Sequence, residues 1–337
     1  MSSYILRKVQ LTGGSTYIVS LPKNWAELIN LKPGDYVQLM PQPDNSLLLI
    51  PRQEREEALE AEIRVSANEL PEEVARELIA CYLAGYDAIK ITFGARVSEF
   101  KSYLKNLMRT KLIGLESVEE SADHMLIRCL MGHVDFPIKD ALNRIYLMSL
   151  SMLRDALKAL KERDLSLARD VIQRDDEVDR LYLFCVRELK AAVGNAVIMR
   201  EAGLKNAREC LGYRLIVKSI ERIADHAAGI ASQIHLLKLK EGSQTINGIV
   251  KLGEAVSMIY EKVMESVFGA DVKRANKLIV EVGALTKLEN DLLRKIFRSK
   301  LNTETAIGLR MIMEGIRRIA EYSADIAEIV VNLAVKG

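Results

Sequence analysis

From residue 136 to its end the chain shows no strand signal, and its apolar residues recur at spacings of three and four. That pattern restricts this half to packed helices. Leu142, Ile145, Met148, Met152, Ala156 and Leu160 form one stripe; Ile216, Ile220, Ile223, Ala227, Ile230 and Ile234 form another, with a 4-3-4-3-4 rhythm. Such a rhythm suits helices crossing at shallow angles in a left-handed bundle. Breaks near Asp164, Gly203, Gly242, Gly269 and Asn302 divide the half into six helices of about 25 to 33 residues. Part of the wording repeats. Ser219-Ile-Glu-Arg-Ile-Ala-Asp-His226 aligns with Gly315-Ile-Arg-Arg-Ile-Ala-Glu-Tyr322, and Ser151-Met152-Leu153 aligns loosely with Ser257-Met258-Ile259. Two tandem three-helix bundles, residues 136–240 and 241–337, are the economical expectation.

Two acidic pairs lie in the first of these units, Asp175/Asp179 and Glu221/Asp225. The i,i+4 spacing puts both carboxylates of a pair one turn apart on the same helix face. Like charges so placed are unfavourable unless a cation or a basic partner neutralises them. Two pairs joined by helix packing would make an all-oxygen site suited to a hard metal ion. The spacing alone equally describes a solvated acidic face. His226, about 100° around the helix from Asp225, reads as a surface histidine or an outer ligand. Arg214, Lys218 and Arg222 form an i,i+4 ladder that either binds an acidic partner or balances the neighbouring acids.

Residues 1–52 read as short strands and turns around Tyr4–Leu11, Tyr17–Leu21, Tyr36–Met40 and Ser46–Ile50, with Pro22 opening a short helix. So small a β-rich domain buries little alone, and chain pairing is the expected remedy. Residues 53–135 begin with a Glu-rich stretch and continue in a βα rhythm. Strands are expected at Glu62–Ser66, Ala88–Phe93, Ser117–Ser121 and His124–Leu130, and helices at Pro71–Leu83 and Ser98–Thr110. This describes a small α/β sandwich with helices on one face of a mixed sheet. Lys101, Lys105, Arg109 and Lys111 give its second helix a basic face, read as solvated. The whole is a multidomain chain: a small β-rich N-terminal domain, a small α/β middle domain and an all-α C-terminal half.

Charge is uneven. Through Arg52 there are five basic and three acidic residues, whereas Gln53 to Asp140 holds eleven against seventeen. The net +2 of the whole chain therefore argues neither for nor against nucleic acid. Four cysteines without CxxC spacing fit reduced thiols in a cytoplasmic protein. No apolar run approaches the length that spans a bilayer, so no membrane insertion is expected.

The stretch from Arg7-Lys8-Val9-Gln10-Leu11-Thr12-Gly13-Gly14-Ser15-Thr16 through Leu21-Pro22-Lys23-Asn24-Trp25, with the later Lys32-Pro33-Gly34-Asp35-Tyr36-Val37, resembles the AbrB/SpoVT-type swapped-hairpin domain. The resemblance implies that two chains interleave into a homodimer. It also implies that Arg7, Lys8 and Lys23 contact DNA, with Ser15 and Thr16 in the adjoining loop; a hairpin kept for dimerisation alone remains the alternative. Val171-Ile-Gln-Arg-Asp-Asp-Glu-Val-Asp-Arg-Leu181 and Ile220-Glu-Arg-Ile-Ala-Asp-His-Ala227 resemble the paired signatures of the PhoU family of phosphate-uptake regulators. That resemblance implies two three-helix bundles and, at Asp175, Asp179, Glu221 and Asp225, a site for divalent or trivalent metal ions such as iron or zinc. The second copy departs from the signature. Arg317 stands where Glu221 does and Glu321 where Asp225 does, while Val282 and Thr286 align with Asp175 and Asp179, so one metal site per chain is expected.

Enzymatic activity is not expected, because no Walker or GxSxG sequence is present and no Glu-x-x-His falls on the bundle helices. The expected function is a phosphate-uptake regulator that binds operator DNA and contacts a phosphate transporter ATPase or a sensor kinase-like protein. The alternatives are an adaptor whose hairpin only dimerises, and an antitoxin-like repressor for which the helical half would be superfluous.

Overall fold

The structure, a computed structural model, describes residues 5–41, 45–51, 59–66, 68–94, 96–131, 137–238, 243–299 and 301–335. The Glu-rich stretch at 53–58, Asp44 of the hairpin turn, Phe136 and the Gly242 break lie outside them. The chain divides into two compact units, Met1–Glu57 and Ala58–Gly337.

The first unit contains two antiparallel hairpins and a short helix. β1 (Gln10–Thr12) pairs with β2 (Thr16–Ile18) across Gly13 and Gly14, whose positive φ values of 57° and 74° suit the tight turn. α1 spans Lys23–Leu28, and β3 (Val37–Pro41) pairs with β4 (Leu47–Pro51). Of the expected strand at Tyr4–Leu11, Tyr4 lies outside the described residues, and only Gln10 and Leu11 of the described remainder fall in β1, which extends to Thr12. None of the unit's described residues is buried. Leu6 is 93% exposed, and Leu28, Tyr36 and Tyr17 are exposed as well.

The second unit opens with the α/β layer, and each of its expected elements is present to within a few residues. β5 (Glu60–Val65) runs parallel to β6 (Ala88–Phe93), joined by α2 (Pro71–Ala84). α3 (Val97–Lys111) leads to β7 (Leu115–Glu120), which pairs antiparallel with β8 (His124–Cys129). The sheet order is β5-β6-β8-β7. Proline at the first position and Glu72 and Glu73 in the first turn start α2, and Gly85 at φ 91° ends it. Ile63, Ile91, Phe93, Met125 and Ile127 of the sheet share one core with Leu78, Tyr82, Phe100 and Leu104 of the two helices. Lys90 and Arg128, on the opposite face, stay exposed.

Six long helices follow: α4 (Ile138–Glu162), α5 (Leu165–Gly194), α7 (Ala207–Gln233), α8 (Gln244–Gly269), α9 (Val272–Arg298) and α10 (Thr303–Ala334). The break expected at Gly203 is broader than a single turn. Asn195 caps a separate six-residue helix, α6 (Ala196–Glu201), and Asn206 caps α7. The duplication extends to the loops. Arg163 and Ala270 both leave their helices in the left-handed conformation, and the side chains of Asp164 and Asp271 then accept backbone N–H groups in the first turns of α5 (Ser166, Leu167) and α9 (Arg274). α4, α5 and α7 pack as one bundle, and α8, α9 and α10 as the other. Equivalent helices also meet across the two copies, α4 on α8 and α7 on α10, so that both bundles share a single core. Close approach there needs glycine: a Cβ at Gly253 would lie 2.3 Å from Leu157, and one at Gly315 would lie 2.9 Å from Ile230. No described helix is long and apolar enough to cross a membrane.

Candidate metal centre

The site is built where α5 lies along α7. Val171 and Val178 face the core on α5, as do Ile220, Ile223, Ala224 and Ala227 on α7; Asp179, Glu221 and Asp225 each follow one of these buried residues, whereas half-buried Asp175 lies between Val171 and Val178 on the stripe itself. Asp179, Glu221 and Asp225 each offer a carboxylate oxygen within 4.8 Å of the other two. Ala224 and Ala228, small and buried, lie on the same helix as Glu221 and Asp225. Asp175 stands one turn before Asp179 and is not among the three carboxylates that meet. Its Oδ1 is buried and has no hydrogen-bond partner.

The electrostatics show how crowded these carboxylates are. Withdrawal from water, then repulsion from Asp179, pushes the Asp175 carboxyl up to about 6, with Lys111 opposing the rise. Desolvation and the charges of Glu221, Asp175 and Asp179 push Asp225 up to about 7, although its side chain remains open to solvent at the rim. Glu221 is 7% exposed and is gripped by Lys218, whose ammonium donates to both carboxylate oxygens at 2.6 Å. Lys111, from the end of α3, reaches across to Asp176 at 2.6 Å and Asp179 at 2.9 Å.

A hard cation fits this arrangement. The donors are all oxygens, one of them buried and unpartnered, and the cluster holds more negative charge than its two lysines balance. His226 is not part of it. Its ring stacks on Tyr322 of α10 at 5.8 Å, and burial there, with Arg318 nearby, lowers its pKa. Of the basic ladder, Lys218 forms an ion pair with Glu221, whereas Arg214 donates to the Tyr182 hydroxyl and Arg222 to the Tyr322 hydroxyl, both at 2.9 Å.

The second copy replaces this cluster with an internal ion pair. Arg317 bonds Glu314 and Glu321, and Glu289 of α9 stands 3.9 Å away. Arg317, Glu321 and Glu289 line a cavity of about 150 Å³ together with Val282 and Thr286. The alignment placed Val282 and Thr286 there but not Glu289, whose partial burial on α9 raises its pKa. Lys111 was likewise hidden in the sequence, because it lies 65 residues before Asp176 and reads as the surface of another domain.

In the first unit Arg7 and Lys8 lie in the extended segment before β1, Ser15 in the turn and Thr16 at the start of β2. Lys23 opens α1 and pairs with Glu27 at 3.6 Å. All five are exposed.

A twice-repeated three-helix unit, with a carboxylate face on one copy and a β-hairpin unit ahead of it in the chain, defines a helical-bundle protein with an added N-terminal domain. The PhoU domain model matches residues 142–234 and 249–330, just over half of the chain. The chain belongs to the PhoU family. Residues 10–57 match the model for antidote-toxin recognition MazE, a bacterial antitoxin, in agreement with the AbrB-like hairpin reading. The phosphate-specific transport system accessory protein PhoU homolog of Zymomonas mobilis is 25% identical over 182 residues, 53% of this chain and 75% of that protein. A homolog from Caulobacter vibrioides is 39% identical over 83 residues, 25% of this chain and 33% of that protein. Crystal structures of PhoU from Pseudomonas aeruginosa and Streptococcus pneumoniae superpose with TM-scores of 0.53 and 0.51 at 18% identity. Each covers 58% of this chain and more than nine-tenths of the relative.

Proposed function

We propose that this chain is a cytoplasmic regulator of phosphate uptake. It works as a homodimer, holds a metal ion between α5 and α7, and binds DNA through its N-terminal unit. The observation that carries the phosphate reading is the family match across both helical repeats, shared with relatives whose names describe a phosphate-specific transport accessory protein. The reading assigns no catalytic step. The bundles contact a phosphate transporter ATPase or a sensor kinase-like protein. In cells lacking the gene, expression of the phosphate transporter is expected to stay high when phosphate is plentiful; expression unchanged from the parent would overturn the phosphate role.

Asp175, Asp179, Glu221 and Asp225 would hold the ion, which would neutralise their mutual repulsion and fasten α5 to α7. The all-oxygen donor set favours a hard ion such as ferric iron over zinc. Asp179→Ala combined with Asp225→Ala should remove bound metal from the purified protein by elemental analysis. Equal content in parent and variant would sink the site.

For DNA, the support is the matched N-terminal family and the exposure of Arg7, Lys8 and Lys23. Affinity for operator DNA should fall steeply with salt, as expected where phosphates are neutralised by basic side chains, and be lost in a triple alanine variant. A signal indifferent to both favours the second reading, an adaptor whose hairpins only dimerise. The exposed apolar side chains of that unit support this reading independently of its charge.

A further inference from the structure

Among the basic residues of α3, Lys111 differs from the other three. Lys101 donates to the Ser121 carbonyl, Lys105 pairs with Glu120 at 2.7 Å and Arg109 donates to Asn106 at 3.3 Å, so all three are used within the α/β layer. Lys111, in the last turn, leaves that layer and places its ammonium on α5, against Asp176 and Asp179. Its side chain is 28% exposed and is held in place by the end of the helix behind it. There the backbone N–H of Leu112, a fully buried side chain, donates to the Met108 carbonyl, and the Tyr82 hydroxyl donates to the Ile113 carbonyl at 3.0 Å.

Asp179 is also one of the three carboxylates that meet within 4.8 Å. The α/β layer thus inserts a fixed positive charge into the carboxylate cluster of the bundle. We propose that Lys111 is a tethered counter-cation that competes with the metal ion for Asp179, so that filling the α5–α7 site releases the end of α3 from α5. The proposal rests on the metal reading of that cluster. A multivalent ion on Asp179 and an ammonium on the same carboxylate repel each other across a few ångströms, in a site partly shielded from water. Asp176 lies on α5 as well, but it is 69% exposed, and a solvent-screened pair of that kind holds little by itself. Coupling of this kind is reciprocal: whatever the docked lysine costs the metal, the bound metal costs the docked lysine.

Lys218 separates this idea from simple charge balance. It also neutralises the cluster, through both oxygens of Glu221, but it sits on the same helix as its partner and links no second layer. Removing either lysine should tighten metal binding, whereas only Lys111 should carry metal occupancy to α3. A second anchor confines the response. The buried guanidinium of Arg187 on α5 donates to the carbonyls of Tyr82 and Tyr86 at the end of α2, away from the acids. The α/β layer therefore stays attached while the α3 corner loosens.

The test is a calorimetric titration of the full chain with Mn²⁺ together with amide hydrogen exchange. Lys111→Met should bind Mn²⁺ about tenfold more tightly than the parent, within the usual range of coupling between sites, and Lys111→Arg should keep the parent affinity. In the parent, Mn²⁺ should speed exchange at 108–114 and leave 81–86 unchanged. Lys218→Met should retain that response, and Lys111→Met should lose it. If the parent binds Mn²⁺ and Lys111→Met binds with equal or weaker affinity, or if exchange at 108–114 ignores the metal, the competition is refuted and the site stands. If neither protein binds Mn²⁺ while both remain folded by circular dichroism, the metal reading falls and this proposal falls with it.

Discussion

The Asp225 carboxyl is pushed up to about 7 from an ordinary value of 3.8, and Asp175 to about 6. Between those ordinary and raised values the metal-free folded chain keeps protons that the unfolded chain has released. Linkage then makes stability fall as pH rises through the window, with the loss complete above the folded-state value. An amide at 225 never ionises. Asp225→Asn should therefore unfold at a higher urea concentration than the parent at about pH 8 and at nearly the same concentration at about pH 4.5, both measured in chelator. A difference that shrinks as pH rises would contradict the assigned cause. Metal affinity should run the opposite way, weakening between about pH 7 and pH 5 as protons claim the same oxygens. The residue scale also explains the second copy. Arg317 supplies the cation covalently, and its bonds to Glu314 and Glu321 leave those acids no need of a metal.

α5 is the element that ties the second unit together, because it packs on α4 and α7 within the bundle and on α2 and α3 of the α/β layer. Leu183 joins the core of that layer, and Arg187, at 2% exposure, donates to Tyr82 at 2.7 Å while its guanidinium lies 5.0 Å above the Tyr82 ring. Arg187→Met keeps the volume and removes the donors. It should cost about 2–3 kcal/mol in urea unfolding, the range for losing charge-assisted bonds to buried carbonyls; a loss below about 0.5 kcal/mol would show that the packing alone holds the layer. These elements were legible in the sequence to different depths. β6 came out at Ala88–Phe93, as expected, and both Asp helix caps fell at the expected breaks, because each signal is local. Three of the four acids singled out by i,i+4 spacing, Asp179, Glu221 and Asp225, do meet, because that spacing marks one face of each helix. The lysine and the arginine that join α5 to the α/β layer were not, since their partners lie 65 and 105 residues away and periodicity carries no information across that distance. The short α6 was missed for a different reason: Asn195 starts a new helix inside what reads as one run.

At the scale of the molecule, the two units differ in what holds them together. Residues 58–337 carry two cores of fully buried side chains, which suffices for independent folding. Residues 1–57 show no buried side chain among those described, and Ile5, Leu6, Val9, Leu11, Tyr17 and Leu28 are each more than half exposed. So many exposed apolar side chains on so small a unit are costly in water, at roughly 25 cal/mol per Å² left uncovered. The segment 5–9, read as strand from its sequence, joins no ladder among the described residues, and a strand without a partner is a template for pairing. A second copy would supply both needs at once, apolar cover and a strand partner, as a domain below the size of a self-sufficient core requires. Light scattering should therefore report a dimer for the full chain and a monomer for residues 58–337, with the helical signal of the truncated form intact. A full chain that scatters as a monomer would remove the dimer, and a truncated form that still pairs would move the contact to the helical unit. Leu6→Lys, which places a charge on the most exposed of these apolar residues, should weaken the dimer while leaving the unfolding of residues 58–337 unchanged.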